Sequence, residues 1–182
     1  MTLRQHLNLL EAAAQLEKIS LDKLPYPMSA LEPAVSRDNV RIHYDILTKK
    51  YFKKYDETGD LFQKAGAVLH NEFFWPMLQK YNRKNAPSSE LEAQIKKAHG
   101  SLKAFKEQVS ESAAGLQGNG WVFVMQDLQI VTVQNHVIRP GIVLGVDLWE
   151  HSTSDYEFDR AAFLDEFWNI VNWDLFEERV NP

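Results

Sequence analysis

At Gly115-Leu-Gln-Gly-Asn-Gly120 the hydrophobic pattern of this chain changes period, and that change limits the fold more than any other feature. Before it, apolar residues recur at three- and four-residue intervals, as in helices that bury one face. After it come three short runs of strand composition, Trp121–Gln126, Gln129–His136 and Gly141–Val146, the first two joined tightly at Asp127-Leu128. Helical patterning resumes from Asp159 to Val171. Helices first and strands late predict an α+β fold, with an N-terminal helical hairpin half packed on a C-terminal half. The C-terminal half would hold a small three-stranded antiparallel sheet flanked by helices.

The helical part divides further. Residues 2–18 read as a helix capped by Thr2, with Leu3, Leu7, Leu10, Ala14 and Leu16 near helical spacing. Pro25 and Pro27 make residues 24–29 a loop. A long helix is expected from Ser36 to Tyr55, where Val40, His43, Tyr44, Leu47 and Tyr51 share helical spacing and Ser36 and Asp38 offer caps. After a turn at Asp56–Asp60, a second helix is expected from Leu61 to about Lys80, carrying His70. Polar residues 82–89, with Pro87, read as a linker, followed by helices over 89–99 and 101–112 split at Gly100. The expected organisation is an extra N-terminal helix over 1–22, the hairpin over 23–83 and the C-terminal unit over 88–182.

A chain of 182 residues with 45% hydrophobic content can bury a sizeable core. Its net charge of -5 disfavours nucleic acid as a partner. With no cysteine, a disulfide scaffold, an iron–sulfur cluster and a thiolate zinc site are all excluded. No apolar run approaches the roughly 18 residues of a membrane span. No signal-peptide core opens the chain, and Glu11 and Glu17 argue against a transit peptide. A soluble cytoplasmic protein is the expectation.

Any metal must therefore be held by His, Asp or Glu. The run Asp147-Leu-Trp-Glu-His151, just after the last apolar strand, puts a carboxylate and an imidazole where one ion could take both. That donor mixture suits Mn, Fe or Zn better than the all-oxygen shells of Ca or Mg. Alone, such a pair is more often a surface hydrogen bond than a metal site, and His43 or His70 alone is usually a core histidine. Together, three imidazoles and one carboxylate would make an open site fit for redox-active Mn or Fe, with a position left for solvent or a small substrate. His6 and His99 lie in polar or amphipathic surroundings that suit surface roles. The late cluster Trp149, Trp168 and Trp173, with Trp121 and Trp75, reads either as ordinary core or as a dry shell around a reactive centre.

Several stretches in order resemble the iron/manganese superoxide dismutase family. They are Leu24-Pro-Tyr26 with Ala30-Leu-Glu-Pro33, Ile42-His-Tyr-Asp45 with Tyr51, and Ala65-Gly-Ala-Val-Leu-His70. Phe105-Lys-Glu107, Gly118-Asn-Gly-Trp121, Leu144-Gly-Val-Asp-Leu-Trp-Glu-His151 and Phe167-Trp-Asn-Ile-Val-Asn-Trp173 complete them. The resemblance spans all but about the first 20 residues. It implies that His43, His70, Asp147 and His151 hold one Fe or Mn per subunit, with solvent as a fifth ligand. It makes Tyr51 and His136 the catalytic residues beside the metal, His136 standing where many relatives carry Gln and Gly66 leaving room for it. Trp121, Phe123 and Trp149 would line the pocket. Glu150 would reach the partner subunit's metal-ligand His, linking a homodimer through Glu150 and His151.

One register needs choosing. In the family the second ligand precedes a Trp by four residues, which from Trp75 would select Asn71. The upstream match through Gly66 selects His70 instead, with Phe74 in the usual Trp place, and Asn is a poor substitute for imidazole. Three departures stand out: Leu47 replaces a usual His, Ser154 replaces its usual Tyr partner, and the segment between Tyr51 and His70 is short. The implied reaction is ping-pong dismutation of superoxide to dioxygen and hydrogen peroxide, with Lys49 and Lys50 either steering the anion or forming a solvated face. The competing expectation is a dismutase-like fold in a structural or partner-binding role.

Overall fold

The computed structural model describes residues 19–182, so the expected helix over 2–18 lies outside the described residues, as does His6. A 3-10 turn, Met28–Leu31, leads into the first long helix, α1. Ser36 caps α1, its hydroxyl accepting the Asn39 amide hydrogen. The helix runs from Arg37–Val40 through a π-helical stretch, Arg41–Thr48, into Lys49–Thr58. Gly59, with φ of 67°, supplies the left-handed residue that ends it. Asp60 caps the next helix by accepting from the Phe62 and Gln63 amides. Two residues thus join the helices, the short hairpin expected from the sequence.

Helix α2 comprises Leu61–Val68 and a second π-helical stretch, Leu69–Phe74, closed by the 3-10 turn Trp75–Met77. It does not reach Lys80, because Pro76 lacks the N–H that would continue it. The chain instead becomes extended: Leu78 bridges Val171, and the Gln79 amide donates to Ile170 O. Helices α3, Ser89–His99, and α4, Leu102–Gly115, are capped by Ser88 and Ser101.

Strands β1, Gly120–Met125, β2, Ile130–Gln134, and β3, Ile142–Asp147, form an antiparallel sheet in the order β2-β1-β3. This is the predicted α+β architecture. The tight β1–β2 turn holds Leu128 at φ of 64°, with its amide donating to Met125 O. Helix α4 packs on β1 and β2, while the π-helical end of α2 packs on β3. After β3 come a single turn, α5, Glu150–Thr153, then α6, Arg160–Phe167, and α7, Trp173–Val180. The predicted helix to Val171 stops at Phe167. Helix α7 was not anticipated; Asn172, which accepts from the Leu175 amide, is its cap. One continuous core runs from Leu31 through Phe105, Trp121 and Phe123 to Phe167 and Phe176, all fully buried.

Two glycines let backbones approach. A Cβ at Gly120 would collide with the Val133 carbonyl across the β1–β2 pair. A Cβ at Gly145 would lie 3.2 Å from Phe73 O, so Gly145 lets α2 press against β3. Gly120→Ala is expected to lower stability by about 1–3 kcal/mol through overpacking, a Tm drop of roughly 2–12 °C. Gly115→Ala, where an added carbon meets nothing within 4 Å, should change Tm little by the same thermal melt.

Candidate metal centre

Asp147 ends β3 directly opposite Trp121 on β1, and both are fully buried. Its Oδ1 accepts the Trp149 amide hydrogen at 2.9 Å, which fixes the carboxylate plane and aims Oδ2 at three imidazoles. His43 Nε2 lies 3.2 Å from Oδ2, His70 Nε2 3.1 Å and His151 Nε2 3.1 Å. One donor atom from each of the four residues falls within 4.8 Å of the others. The side chains come from α1, α2, the end of β3 and α5.

Hydrogen bonding alone does not account for this arrangement. His70 Nδ1 sits 2.6 Å from Gly66 O, and a carbonyl can only accept, so Nδ1 carries the hydrogen. In the neutral ring the lone pair of Nε2 then faces a carboxylate oxygen, an unfavourable pair unless a cation lies between them. His43 Nε2 is buried and makes no hydrogen bond despite its proximity to Asp147. Burial, reinforced by His151, pushes the His43 pKa down to about 3, so its ring stays neutral at ordinary pH. Burial raises the Asp147 pKa, but the surrounding imidazoles, His151 foremost, outweigh it and hold the carboxyl well below its usual range. A neutral His43 beside an ionised carboxylate matches the protonation states that a transition metal requires. The donor set fits Fe, Mn or Zn.

The π-helical stretches set the register of two of these residues. A π turn bonds i to i+5, which brings residues five apart onto one face. Thr48, five after His43, donates its hydroxyl to His43 O at 2.9 Å. Trp75, five after His70, donates Nε1 to Thr48 Oγ1 at 3.1 Å and packs 4.7 Å from the His43 ring. Phe74 also packs on His43, at 5.0 Å. The odd spacing between His70 and Trp75 is therefore built into the helix. Asn71 points elsewhere, exchanging hydrogen bonds with Asp22 at 2.8 and 3.0 Å. Thr48 escaped the sequence reading, because nothing in its local pattern marks it as a support for His43.

Tyr51 and His136 form a second layer. The Tyr51 ring stacks on His70 at 5.3 Å and 23°. Trp121 Nε1–H donates to His136 Nδ1 at 3.1 Å, and His136 Nε2 lies 2.9 Å from the Tyr51 oxygen. Indole is a donor only, so Nδ1 is the acceptor and Nε2 carries the hydrogen given to Tyr51. Burial lowers the His136 pKa to about 4, consistent with this neutral tautomer. Burial, with the charge of Asp147, raises that of Tyr51. A Cβ at Gly66 would sit 2.9 Å from Tyr51 Cδ1 and 3.1 Å from His136 Cδ2, so glycine makes the space both rings use. Trp149 stacks on His136 at 4.7 Å and 12°, Phe123 backs Trp121, and the half-exposed Phe62 packs on His136 at 4.8 Å. Phe62 was not singled out in the sequence; an aromatic at the start of an amphipathic helix carries no distinguishing signal.

The remaining candidates lie around this layer. Glu150 is exposed beside His151. Leu47 is half-buried, and Ser154 bonds to Asn39 and to His151 O. Lys49 is paired with Asp45, while Lys50 is exposed. His99 is half-buried, joining Gln108 to Leu128 O at the strand turn. That is a structural role in place of the expected surface one. No helix among the described residues is long and apolar enough to cross a membrane.

Residues 87–179 match the family model for iron/manganese superoxide dismutases, C-terminal domain. An iron superoxide dismutase of Sulfolobus acidocaldarius is 32% identical, with 91% of this chain and 95% of that protein covered. A manganese superoxide dismutase of Acinetobacter baylyi is 31% identical over 87% of this chain and 85% of its own length. An iron superoxide dismutase of Bacteroides fragilis is 29% identical, with 88% and 98% covered. With these matches joined to an α+β fold that gathers three histidines around one buried aspartate, the chain belongs to the iron/manganese superoxide dismutase family.

Proposed function

We propose that this chain is a superoxide dismutase holding one Fe or Mn ion on His43, His70, Asp147 and His151. The observation that carries the reading is the convergence of three imidazole nitrogens on Asp147 Oδ2, with His43 Nε2 buried and unbonded. The names of the relatives supply the reaction, and they include both iron and manganese enzymes. When bound, the metal would supply one-electron chemistry, so that two superoxide anions and two protons become dioxygen and hydrogen peroxide. The chain's own part is to exclude water, hold charge and manage protons. Asp147 offsets one positive charge of the ion, and the rings of Phe74, Trp75, Trp121 and Trp149 keep the centre dry. Tyr51, protonated and stacked on His70, is the proton-bearing group beside the centre, with His136 as its partner. Glu150, exposed next to the edge-exposed His151 ring, supports a homodimer in which the pair bridges two copies.

Elemental analysis and a superoxide-consumption assay on one preparation test this reading. Near-stoichiometric Fe or Mn with activity is expected; a metal-free, inactive product would instead favour a fold retained for partner binding. His70→Ala should abolish metal retention and Asn71→Ala should leave it, since Asn71 faces Asp22. Gly66→Ala should drive Tyr51 and His136 apart, cutting turnover by up to about 100-fold with metal content unchanged.

The metal-free protein should also show a defined acid lability. The folded pKa values of His43, about 3, and His136, about 4, lie below the ordinary 6.5. Between those limits the unfolded chain binds more protons than the folded one. The stabilisation is therefore complete above about pH 6.5 and lost as pH falls towards 4 and then 3, by at most about 1.4 kcal/mol per pH unit for each group. Chemical denaturation of metal-free protein from pH 7.5 to 4 measures it, and a flat profile would contradict the burial of neutral imidazoles.

A further inference from the structure

The turn that carries His151 is the least self-sufficient element at the metal centre. Helix α5 is one turn long, Glu150–Thr153, and has no side-chain cap. Isolated turns of this length do not hold their shape in water, so something outside α5 must fix the position of His151. The His151 carbonyl accepts Asn39 Nδ2 at 3.0 Å, across 112 residues of chain. The same nitrogen donates to Ser154 Oγ at 3.0 Å, and that hydroxyl reaches back to His151 O at 3.2 Å.

Asn39 is itself firmly placed. It is buried in the first turn of α1, where its amide hydrogen goes to Ser36 Oγ at 3.1 Å. Ser36 in turn gives its amide and hydroxyl hydrogens to the Asp155 carboxylate, at 2.7 and 3.0 Å. Flipping the Asn39 amide would set its oxygen against the His151 carbonyl, so the donor orientation is forced. That orientation leaves Asn39 Oδ1 buried without a partner. A buried, unsatisfied acceptor is a cost that Ala or Leu at this position would avoid. What Asn39 contributes here is the donor.

His43 follows Asn39 by about one helical turn, and the His43 and His151 rings lie 4.3 Å apart. We propose that Asn39 is a positioning residue for the metal centre, locking the His151 backbone to the start of α1 so that His43 and His151 keep a fixed separation. This rests on the metal-site reading above. Loss of partners that orient metal ligands typically costs 10–100-fold in metal affinity.

The test uses full-length, manganese-loaded protein transferred into excess EDTA, with release rate, the Mn(II) EPR spectrum and metal-free Tm measured for each variant. Asn39→Leu and Asn39→Asp should release manganese about 10-fold faster than the parent, with altered EPR splitting. Ile95→Ala, which opens a cavity in helix α3, where no metal ligand lies, should lower Tm yet keep the parent's release rate and spectrum. Ser154→Ala, which spares the Asn39–His151 bond, should stay within about two-fold of the parent, well short of the loss set by removing the main partner. The proposal is overturned if both Asn39 variants keep the parent's release rate and spectrum. It is equally overturned if Ile95→Ala speeds release as much at a matched loss of Tm. A parent that binds no manganese or iron refutes the metal-site reading, and the role of Asn39 with it, before any variant is compared.

Discussion

Everything at the centre of this molecule depends on how one carboxylate oxygen is shared. Asp147 Oδ2 faces three imidazole nitrogens at 3.1–3.2 Å, more than its lone pairs can satisfy as hydrogen bonds, and the His70 nitrogen has no hydrogen to give. Burying an ionised carboxylate costs several kcal/mol unless positive charge compensates it. Here the carboxyl nonetheless stays ionised and His43 stays neutral. A cation is the partner that resolves this combination. The four side chains come from helices α1, α2 and α5 and the end of β3, so the rest of the fold has to hold separate segments in register.

The fold does so by removing side chains where backbones must meet and by widening helices where spacing must change. Gly145, two residues before Asp147 on the same face of β3, admits the Phe73 backbone and so carries His70 up to the carboxylate. Helices α1 and α2 each widen into a π turn at the histidine they deliver. Such turns are rare and concentrate at functional sites, because their hydrogen bonding is poorer than that of an α-helix. Two side chains offset the defect: the Thr48 hydroxyl takes up the His43 carbonyl, and Trp75 donates to Thr48. Without the widening, Thr48 and Trp75 would rotate off the faces they now share with His43 and His70.

This explains which parts of the molecule were legible in the sequence. The strands were, because Trp121–Gln126 and Gly141–Val146 carry dense apolar runs, each opening at a glycine and followed by an aspartate, and their observed bounds differ by one residue. The four gathered residues were named from resemblance; His70 faces Asp147, whereas Asn71 faces Asp22. The π turns were not legible: over six to eight residues, a pattern of 3.6 and a wider one select nearly the same apolar positions. The end of α2 is marked in the sequence by Pro76, although apolar residues continue past it to Leu78. Helix α7 was missed although Asn172 signals it, because its buried Trp173 and Phe176 continue the aromatic run of α6 without a break in composition. The Asn39–His151 contact joins residues too far apart in sequence for any local pattern to show it.

The outer hydrogen-bond chain has a direction, and the direction limits what His136 can do in the proposed reaction. Trp121 gives its indole hydrogen to Nδ1, and Nε2–H points at Tyr51. A shuttle would take a proton at one ring nitrogen while releasing one from the other. Here the uptake nitrogen is occupied by a group that only donates, and burial makes a charged ring unfavourable. Giving up Nε2–H with no replacement at Nδ1 would leave an imidazolate, far outside the range a protein of this kind sustains near neutrality. His136 can therefore stabilise a Tyr51 oxygen that has lost its hydrogen, yet it cannot restore that hydrogen. In the proposed reaction the replacement proton would have to come to the half-buried Tyr51 from a group other than His136. In the proposed reaction Tyr51 would then be the one of the two that exchanges protons, and His136 would set how readily it lets one go.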